Sequence, residues 1–289
     1  QRAGPRTPDP DPPTPDPLTM LKLVCIDVDG TLVGSDGSVA PEVWAAARRA
    51  HARGLRLALC SGRPAFGLAR AYAEQLDAEG WHVFQNGASV VHGGSGASRS
   101  TPLPAAALAA LVDRAAATGW ALELYRDADY VIVPGAVDPD ETRAHRHAAL
   151  LGVPLSVATL AEAAALDGVV RAQWMVDHAA LPAVLAAAVP GTRLLPSLSP
   201  VMPETTFVSV LAPGVDKAAA VRQVAAAYAL PLSAVTFVGD GGNDAAAMAA
   251  VRAGGGHAVA MGNAEPAALA AAEHVVGDVE AGGLVEAFA

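Results

Sequence analysis

Aromatic residues make up only 4% of this 289-residue chain, and lysine occurs just twice, as Lys22 and Lys217. Cysteine also occurs twice, as Cys25 and Cys60, with neither a zinc-type nor a CxxC spacing, which excludes a disulfide framework. Both cysteines sit inside apolar runs and read as buried thiols in a reducing compartment. No apolar run reaches the length of a bilayer span. Positive charge is in deficit: 19 Lys and Arg face 29 Asp and Glu, for a formal net charge of −10. That balance argues against a nucleic-acid or anionic-membrane binder, which needs a basic face. What the chain has in quantity is small apolar surface. It is 52% hydrophobic, largely through Ala, and long enough for one large domain or two modest ones. An Arg-rich, Lys-poor composition fits a high-GC coding background, and the default reading is a soluble cytoplasmic protein.

Residues 1–19 are dominated by Pro, Asp and Thr and read as a disordered, partly polyproline-like tail. The tail has no apolar h-region and is not a signal peptide, and Met20 reads as the natural start. From there the pattern is α/β. Residues 21–28, 55–60 and 82–86 read as buried strands, with helices over 41–53 and about 65–79 between them. This alternation predicts a parallel sheet with helices on both sides. The rhythm changes after residue 88: a small, Gly/Ser-rich stretch precedes a helix over 104–118, a hairpin over 120–134, a helix over 140–150, a strand over 169–177, a helix over 179–188 and two more strands. Alternation returns with a helix over 215–229, a strand over 235–240, a helix over 243–251, a strand over 257–261 and short helices over 265–272 and 280–288. The expected organisation is therefore an α/β core, residues 20–87 and 210–289, split by an inserted α+β region, residues 88–209.

Four short segments carry chemistry. Asp27-Val28-Asp29-Gly30-Thr31 ends the first strand, and residues two apart in an extended segment point the same way, so both carboxylates project together. The carboxyl ends of parallel strands are where open α/β sheets bind ligands. Read alone, the segment also fits a turn with two solvated aspartates. Ser61-Gly62-Arg63 follows the second strand and offers a hydroxyl and backbone N–H groups at a helix start, as an anion site, a helix cap, or both. Lys217 opens the helix at 215–229, where a cation is unfavourable unless it pairs with a phosphate or carboxylates; a solvated lysine is the plain alternative. Asp240, Asn243 and Asp244 lie in the VGDGGND segment after another strand, as carboxylates for a metal or as caps for the next helix. Several carboxylates at one end of one sheet repel unless a cation compensates, and hard oxygens of this kind suit Mg²⁺.

In this order the four segments resemble the four motifs of haloacid dehalogenase (HAD) superfamily phosphatases, and within them the Cof-like branch, whose α+β cap is inserted between the second and third motifs. Asn86-Gly87-Ala88 and Met261-Gly262-Asn263-Ala264 are further echoes. Ser61 stands where Thr is common, which keeps the hydroxyl. The resemblance implies an HAD-like Rossmannoid parallel sheet core with an α+β cap that sets specificity. It also implies a Mg²⁺-dependent phosphatase for a small phosphorylated metabolite, a sugar phosphate first, working through an aspartyl-phosphate. In that scheme Asp27 is the nucleophile and Asp29 the general acid and base. Mg²⁺ is held by Asp27, the Asp29 main-chain carbonyl and Asp240. Gly30, Ser61, Gly62 and Lys217 bind the phosphoryl oxygens, while Arg63, Asn86, Asn243 and Asp244 orient the substrate or these groups.

Two other readings keep the same residues: a phosphosugar mutase, and a metabolite-binding module without catalysis. In the cap, Arg126, Asp129, Tyr130, Arg171 and Trp174 are candidate readers of the leaving group, each also an ordinary surface or core residue. His145 and His147, near Asp138, Asp140 and Glu141, are a candidate second metal cluster, with a solvated helix face as the plainer reading.

Overall fold

A computed structural model describes residues 22–135, 142–199 and 201–288. The first half of the core runs β1 (Leu23–Ile26), α1 (Pro41–Ala52), β2 (Arg56–Leu59) and α2 (Gly67–Asp77). Pro41, at the first position of α1, suits a site whose N–H has no helical partner. The second half runs α7 (Lys217–Ala227), β10 (Val235–Gly239), α8 (Ala245–Ala253), β11 (His257–Ala260), α9 (Pro266–Ala271) and β12 (His274–Val275). The sheet order is β12-β11-β10-β1-β2, all parallel, so β1 lies between β10 and β2 with Cys25 opposite Phe237 and Ala58. One apolar cluster packs under α1 and α2, and a second, holding Cys25 and Cys60, packs under α7 and α8. Both cysteines are free and buried.

Two expectations for the core are corrected. The third strand, β3 (Trp81–Phe84), joins the parallel sheet at a single residue pair, a parallel Cys60–Val83 bridge with Ser61 N donating to the Val83 carbonyl at 2.9 Å, and not as a full ladder. Its full ladder is antiparallel, with β4 (Ser89–His92), which lay hidden in the Gly/Ser-rich stretch. The cause is His82: its Nδ1 accepts from Leu59 N at 3.1 Å and its Nε2 donates to the Asp77 carbonyl at 2.8 Å, so a side chain occupies the ladder position. The expected helix over 280–288 is two 3-10 turns, Val279–Ala281 and Gly283–Phe288, broken where Gly282 takes a left-handed conformation.

The second sheet is antiparallel, ordered β6-β5-β7-β9-β8, from β5 (Ala121–Tyr125), β6 (Tyr130–Val133), β7 (Arg171–Asp177), β8 (Arg193–Leu198) and β9 (Thr205–Leu211). β9 runs through the boundary drawn at residue 209. Leu122, Leu124 and Trp174 belong to a cluster with side chains of α3 (Ala105–Thr118), α5 (Leu160–Ala164) and α6 (Leu181–Ala186). α6 is shorter than expected, because a 3-10 turn, His178–Ala180, replaces its start. The opposite face carries Ala121, Glu123 and Tyr125, and Ala144 and Ala148 of α4 (Thr142–Leu151) pack there. The two sheets meet at an aromatic stack: Phe66, just before α2, lies 6.3 Å from the Tyr125 ring and 5.9 Å from the Tyr130 ring. Among the described residues no helix is long and apolar enough to cross a membrane.

Candidate active site

The expected residues gather at the carboxyl ends of β1, β2 and β10. Asp27 follows β1, and its N–H donates to the Val238 carbonyl at 2.9 Å, which fixes it beside β10. Lys217 projects from the first turn of α7 into the core, with its side chain fully buried. Its ammonium donates to Asp27 Oδ1 at 2.5 Å and to Asp244 Oδ1 at 2.6 Å. The alternative of a solvated lysine is thereby excluded. The helix start itself is capped by Asp216, whose Oδ1 accepts from Ala219 N at 2.7 Å.

Asp244 stands at the N-cap position of α8 yet makes no side-chain cap. Its Oδ1 faces Lys217, and its Oδ2 accepts from the N–H groups of Asp240 and Gly241 at 3.2 and 3.0 Å. Every oxygen of that buried carboxylate is therefore employed in orienting Lys217 and the turn after β10. Asp240 is positioned by two groups whose roles the sequence did not disclose. Thr31 Oγ1 donates to its Oδ1 at 3.0 Å, and Asn263 Nδ2 bonds the Gly30 carbonyl at 2.8 Å beside Asp240 Oδ2. Thr31 was visible as part of the first motif and Asn263 as an echo, but their geometry needs the fold. Gly30 has φ +82°, and a Cβ there would overlap the Asp240 carboxylate, so only glycine allows the two loops to meet.

Ser61 is not a helix cap. α2 begins at Gly67, six residues later, behind Pro64, so the expected helix-start anion site becomes a loop. Ser61 Oγ accepts from the Arg63 N–H at 2.9 Å instead. Arg63 forks onto Asp29, with Nε 3.1 Å from Oδ2 and Nη2 on Oδ1. Gln85 and Asn86 form a turn at φ 53° and 56°, unusual for side chains larger than glycine. Asn86 lies against Gly62, and its Oδ1 accepts from Asn243 Nδ2 at 3.0 Å. All four sequence segments, with Asn86 and Asn243, thus meet at one place.

Charge at the site is unbalanced. Burial, and then repulsion from Asp244, push the Asp27 carboxyl well above its ordinary value, while Lys217 pulls it down. Burial alone pulls the Lys217 ammonium down, and Asp27 and Asp244 more than reverse this. Lys217 therefore stays charged and the buried group is an ion pair. Asp240 is pushed up to about 6, chiefly by burial. Four acidic side chains, Asp27, Asp29, Asp240 and Asp244, meet two cations, Lys217 and Arg63, so acids outnumber bases by two. Oxygens of Asp27, Asp240 and Asp244 lie within 4.8 Å of one another, and the Asp29 carbonyl accepts no hydrogen bond from a described residue. A hard divalent cation suits the oxygens of Asp27 and Asp240, since Asp244 is already committed to Lys217.

The cap candidates divide. Arg126 is paired with Asp129, at 2.7 and 2.6 Å. Trp174, three residues from Arg171 in β7, points to the opposite, helix-covered face and packs edge-on against Trp120. Tyr130 is buried in the stack with Phe66. Arg171 reaches the core, where its Nη1 donates to the Gly62 carbonyl at 2.9 Å. Of the candidate second metal cluster, Asp138, Asp140 and Glu141 lie outside the described residues, and His147 Nδ1 is taken up by the buried Glu123 at 2.6 Å. Elsewhere among the described residues, His257, Glu273 and His274 form an exposed group around a His257–Glu273 contact of 2.8 Å.

A family model for haloacid dehalogenase-like hydrolases matches residues 24–153 and 192–288, which include all four segments. The chain belongs to the haloacid dehalogenase-like hydrolases, in their Cof-like branch. The Bacillus subtilis (strain 168) protein YxeH is 43% identical over 74 residues, a match that spans 25% of this chain and 27% of that protein. Among solved structures, the HAD subclass IIB sugar phosphatase BT4131 superposes with TM-score 0.74 at 21% identity, over 92% of this chain and 97% of that one. BT1666 from Bacteroides thetaiotaomicron gives TM-score 0.74 at 23% identity, over 95% and 96%. These two likenesses concern the fold, a parallel core sheet with a capping α+β unit.

Proposed function

We propose that this hydrolase is a Mg²⁺-dependent phosphatase for a small phosphorylated metabolite, with sugar phosphates as the first substrate class. The observation that carries the reading is the buried Asp27–Lys217–Asp244 group beside Asp240, at the carboxyl ends of β1 and β10. In the proposed reaction an Asp27 carboxylate oxygen attacks phosphorus as the bond to the leaving oxygen breaks, and the aspartyl-phosphate forms. Asp29 protonates the leaving oxygen, then takes a proton from the water that attacks phosphorus and frees Asp27. Arg63 holds the Asp29 carboxylate in place between the two steps. Ser61, Lys217 and the N–H groups of Asp29 and Gly62 take the phosphoryl oxygens, whereas the Gly30 N–H, expected to do so, is already given to the Val33 carbonyl at 3.0 Å. Asp27, Asp240 and the Asp29 carbonyl would hold Mg²⁺, which would supply neutralisation of the charge that develops in the phosphoryl transfer.

Residues 88–209 act in this reading as a cap that reads the leaving group and excludes water. The sugar-phosphate assignment is supported by the likeness to a sugar phosphatase structure. The two buried free thiols support a reducing, cytoplasmic setting. Hydrolysis of a chromogenic phosphate ester, followed by a screen of phosphorylated metabolites for released phosphate, tests the reading. Wild type with Mg²⁺ is expected to turn over and Asp27→Asn to fold but lose turnover. Substantial turnover by Asp27→Asn removes the nucleophile assignment.

A further inference from the structure

Three consecutive carbonyls of the Ser61–Arg63 loop are all held from outside the loop. Ser61 O accepts from Asn86 N, Arg63 O from Gln85 N, and Gly62 O, between them, from Arg171 Nη1, each at 2.9 Å. The outer two donors come from the turn after β3. The middle one comes from β7 of the other sheet, 109 positions away in the chain. The Arg171 guanidinium lies 4.0 Å from the centroid of the Tyr125 ring, and that ring stacks in turn on Phe66. With 5% of its surface exposed, Arg171 has little freedom to leave this position.

The peptide unit that Arg171 grips is also the one that holds Ser61. Its oxygen is Gly62 O, and its N–H, that of Arg63, donates to Ser61 Oγ at 2.9 Å. A continuous chain therefore runs from the guanidinium through one amide to a hydroxyl. Ser61 Oγ accepts at that end and donates to no described side chain or carbonyl, so its proton is free to turn toward the site. A cation on the carbonyl side of an amide draws electron density from its nitrogen, and hydrogen bonds in such a chain strengthen one another.

We infer that Arg171 is a positioning residue that acts through the Gly62–Arg63 peptide on the Ser61 hydroxyl, so that the phosphate-binding loop is set for a phosphoryl group only while the cap sheet is docked. This rests on the reading of Ser61 as a phosphate ligand. It assigns to Arg171 a role different from contact with the leaving group. A change of leaving group should then leave the effect of Arg171 unaltered.

The test is a double-mutant cycle on the full chain with Mg²⁺ present, using Arg171→Met, Ser61→Ala and the double variant. Two quantities are read: kcat/KM for a chromogenic phosphate ester and the affinity for inorganic phosphate by calorimetry. Arg171→Met is expected to lower both by about 10- to 100-fold, the scale of one charge-assisted hydrogen bond. In the Ser61→Ala background the same substitution is expected to change them less than about 2-fold, because the group it acts on is gone. Arg171→Lys, which keeps a charged donor, is expected to recover part of the loss, and it covers the case in which Arg171→Met folds poorly. Equal losses in both backgrounds overturn the inference, as does wild-type affinity in Arg171→Met. A wild type that binds phosphate but hydrolyses no ester overturns the phosphatase reading alone, and the affinity cycle still decides this one.

Discussion

Lys217 and Asp27 are separated by 190 positions in the chain, yet the ammonium of one lies 2.5 Å from the carboxylate of the other. The pair is possible because α7 begins at the same end of the sheet at which β1 stops. Both side chains are buried, and Asp244 closes the group from the far side.

Removing Lys217 leaves two carboxylates buried without a counter-charge. Breaking a buried pair from one side costs about 3–5 kcal/mol, and Lys217→Met should lose stability on that scale as well as turnover. Adding Asp244→Asn to Lys217→Met should restore part of the stability and none of the activity. Urea denaturation of the single and double variants, compared with wild type, checks both statements.

Protons and metal compete for Asp240, whose carboxyl titrates near 6 because burial disfavours its charge. Below that pH the carboxylate is protonated and binds a cation less well. The Mg²⁺ concentration needed for half-maximal hydrolysis should therefore rise on going from pH 7.5 to about 5.5. Chelation should abolish turnover at either pH, and Asp240→Asn should require more Mg²⁺ at both and show a weaker pH dependence, the remainder coming from Asp27. A Mg²⁺ titration at the two pH values is the measurement.

Gly30→Ala places a methyl group against the Asp240 carboxylate at a backbone φ of +82°. The left-handed conformation alone costs an L-residue about 1–2 kcal/mol. The variant should fold, with a melting temperature lowered by several degrees, and should lose turnover through displacement of Asp240. Circular dichroism melts beside Mg²⁺-dependent hydrolysis separate the two effects.

His82 is buried in its neutral form, with both ring nitrogens bonded, and burial lowers its pKa from 6.5 to about 4. In the unfolded chain it titrates near 6.5, so between pH 6.5 and 4 the unfolded state binds the extra proton. Its contribution is fully present above pH 6.5 and is lost as pH falls to about 4, a change on the order of 3 kcal/mol. His82→Gln should flatten that acid limb in denaturation curves measured from pH 7 to 4, at a cost in stability at pH 7 from the Leu59 N–H or Asp77 C=O left without a partner.

The parts of the fold legible in the sequence were those with a local cause. Pro41 announced α1, and strand β1 showed as an apolar run with its two aspartates at the end. The site residues were legible because strand ends in a parallel sheet converge. What escaped depends on partners distant in sequence. Nothing local to Ser89–His92 says that this segment pairs with β3, and nothing near His82 says that its ring takes the place of a backbone acceptor. Gln85 and Asn86 adopt positive φ without being glycine, held there by bonds to Ser61 and Arg63 that only the folded chain provides. From its own segment Asp244 read both as a cap and as a metal-site acid, and the family resemblance added the orienting of Lys217 or of a metal-bound water. The deciding fact, that Lys217 and two N–H groups use all of its oxygens, is tertiary.

Cys25 and Cys60 add an experimental handle. Both thiols are sealed in the cluster under α7 and α8, and burial raises the Cys60 thiol well above its ordinary value, which disfavours its thiolate in the native state. Alkylating reagents reach them only when that half of the core opens. The two native cysteines are thus an internal clock for core opening. Their labelling rate, followed with and without Mg²⁺ and phosphate, reads ligand-induced closure of the core without any introduced probe.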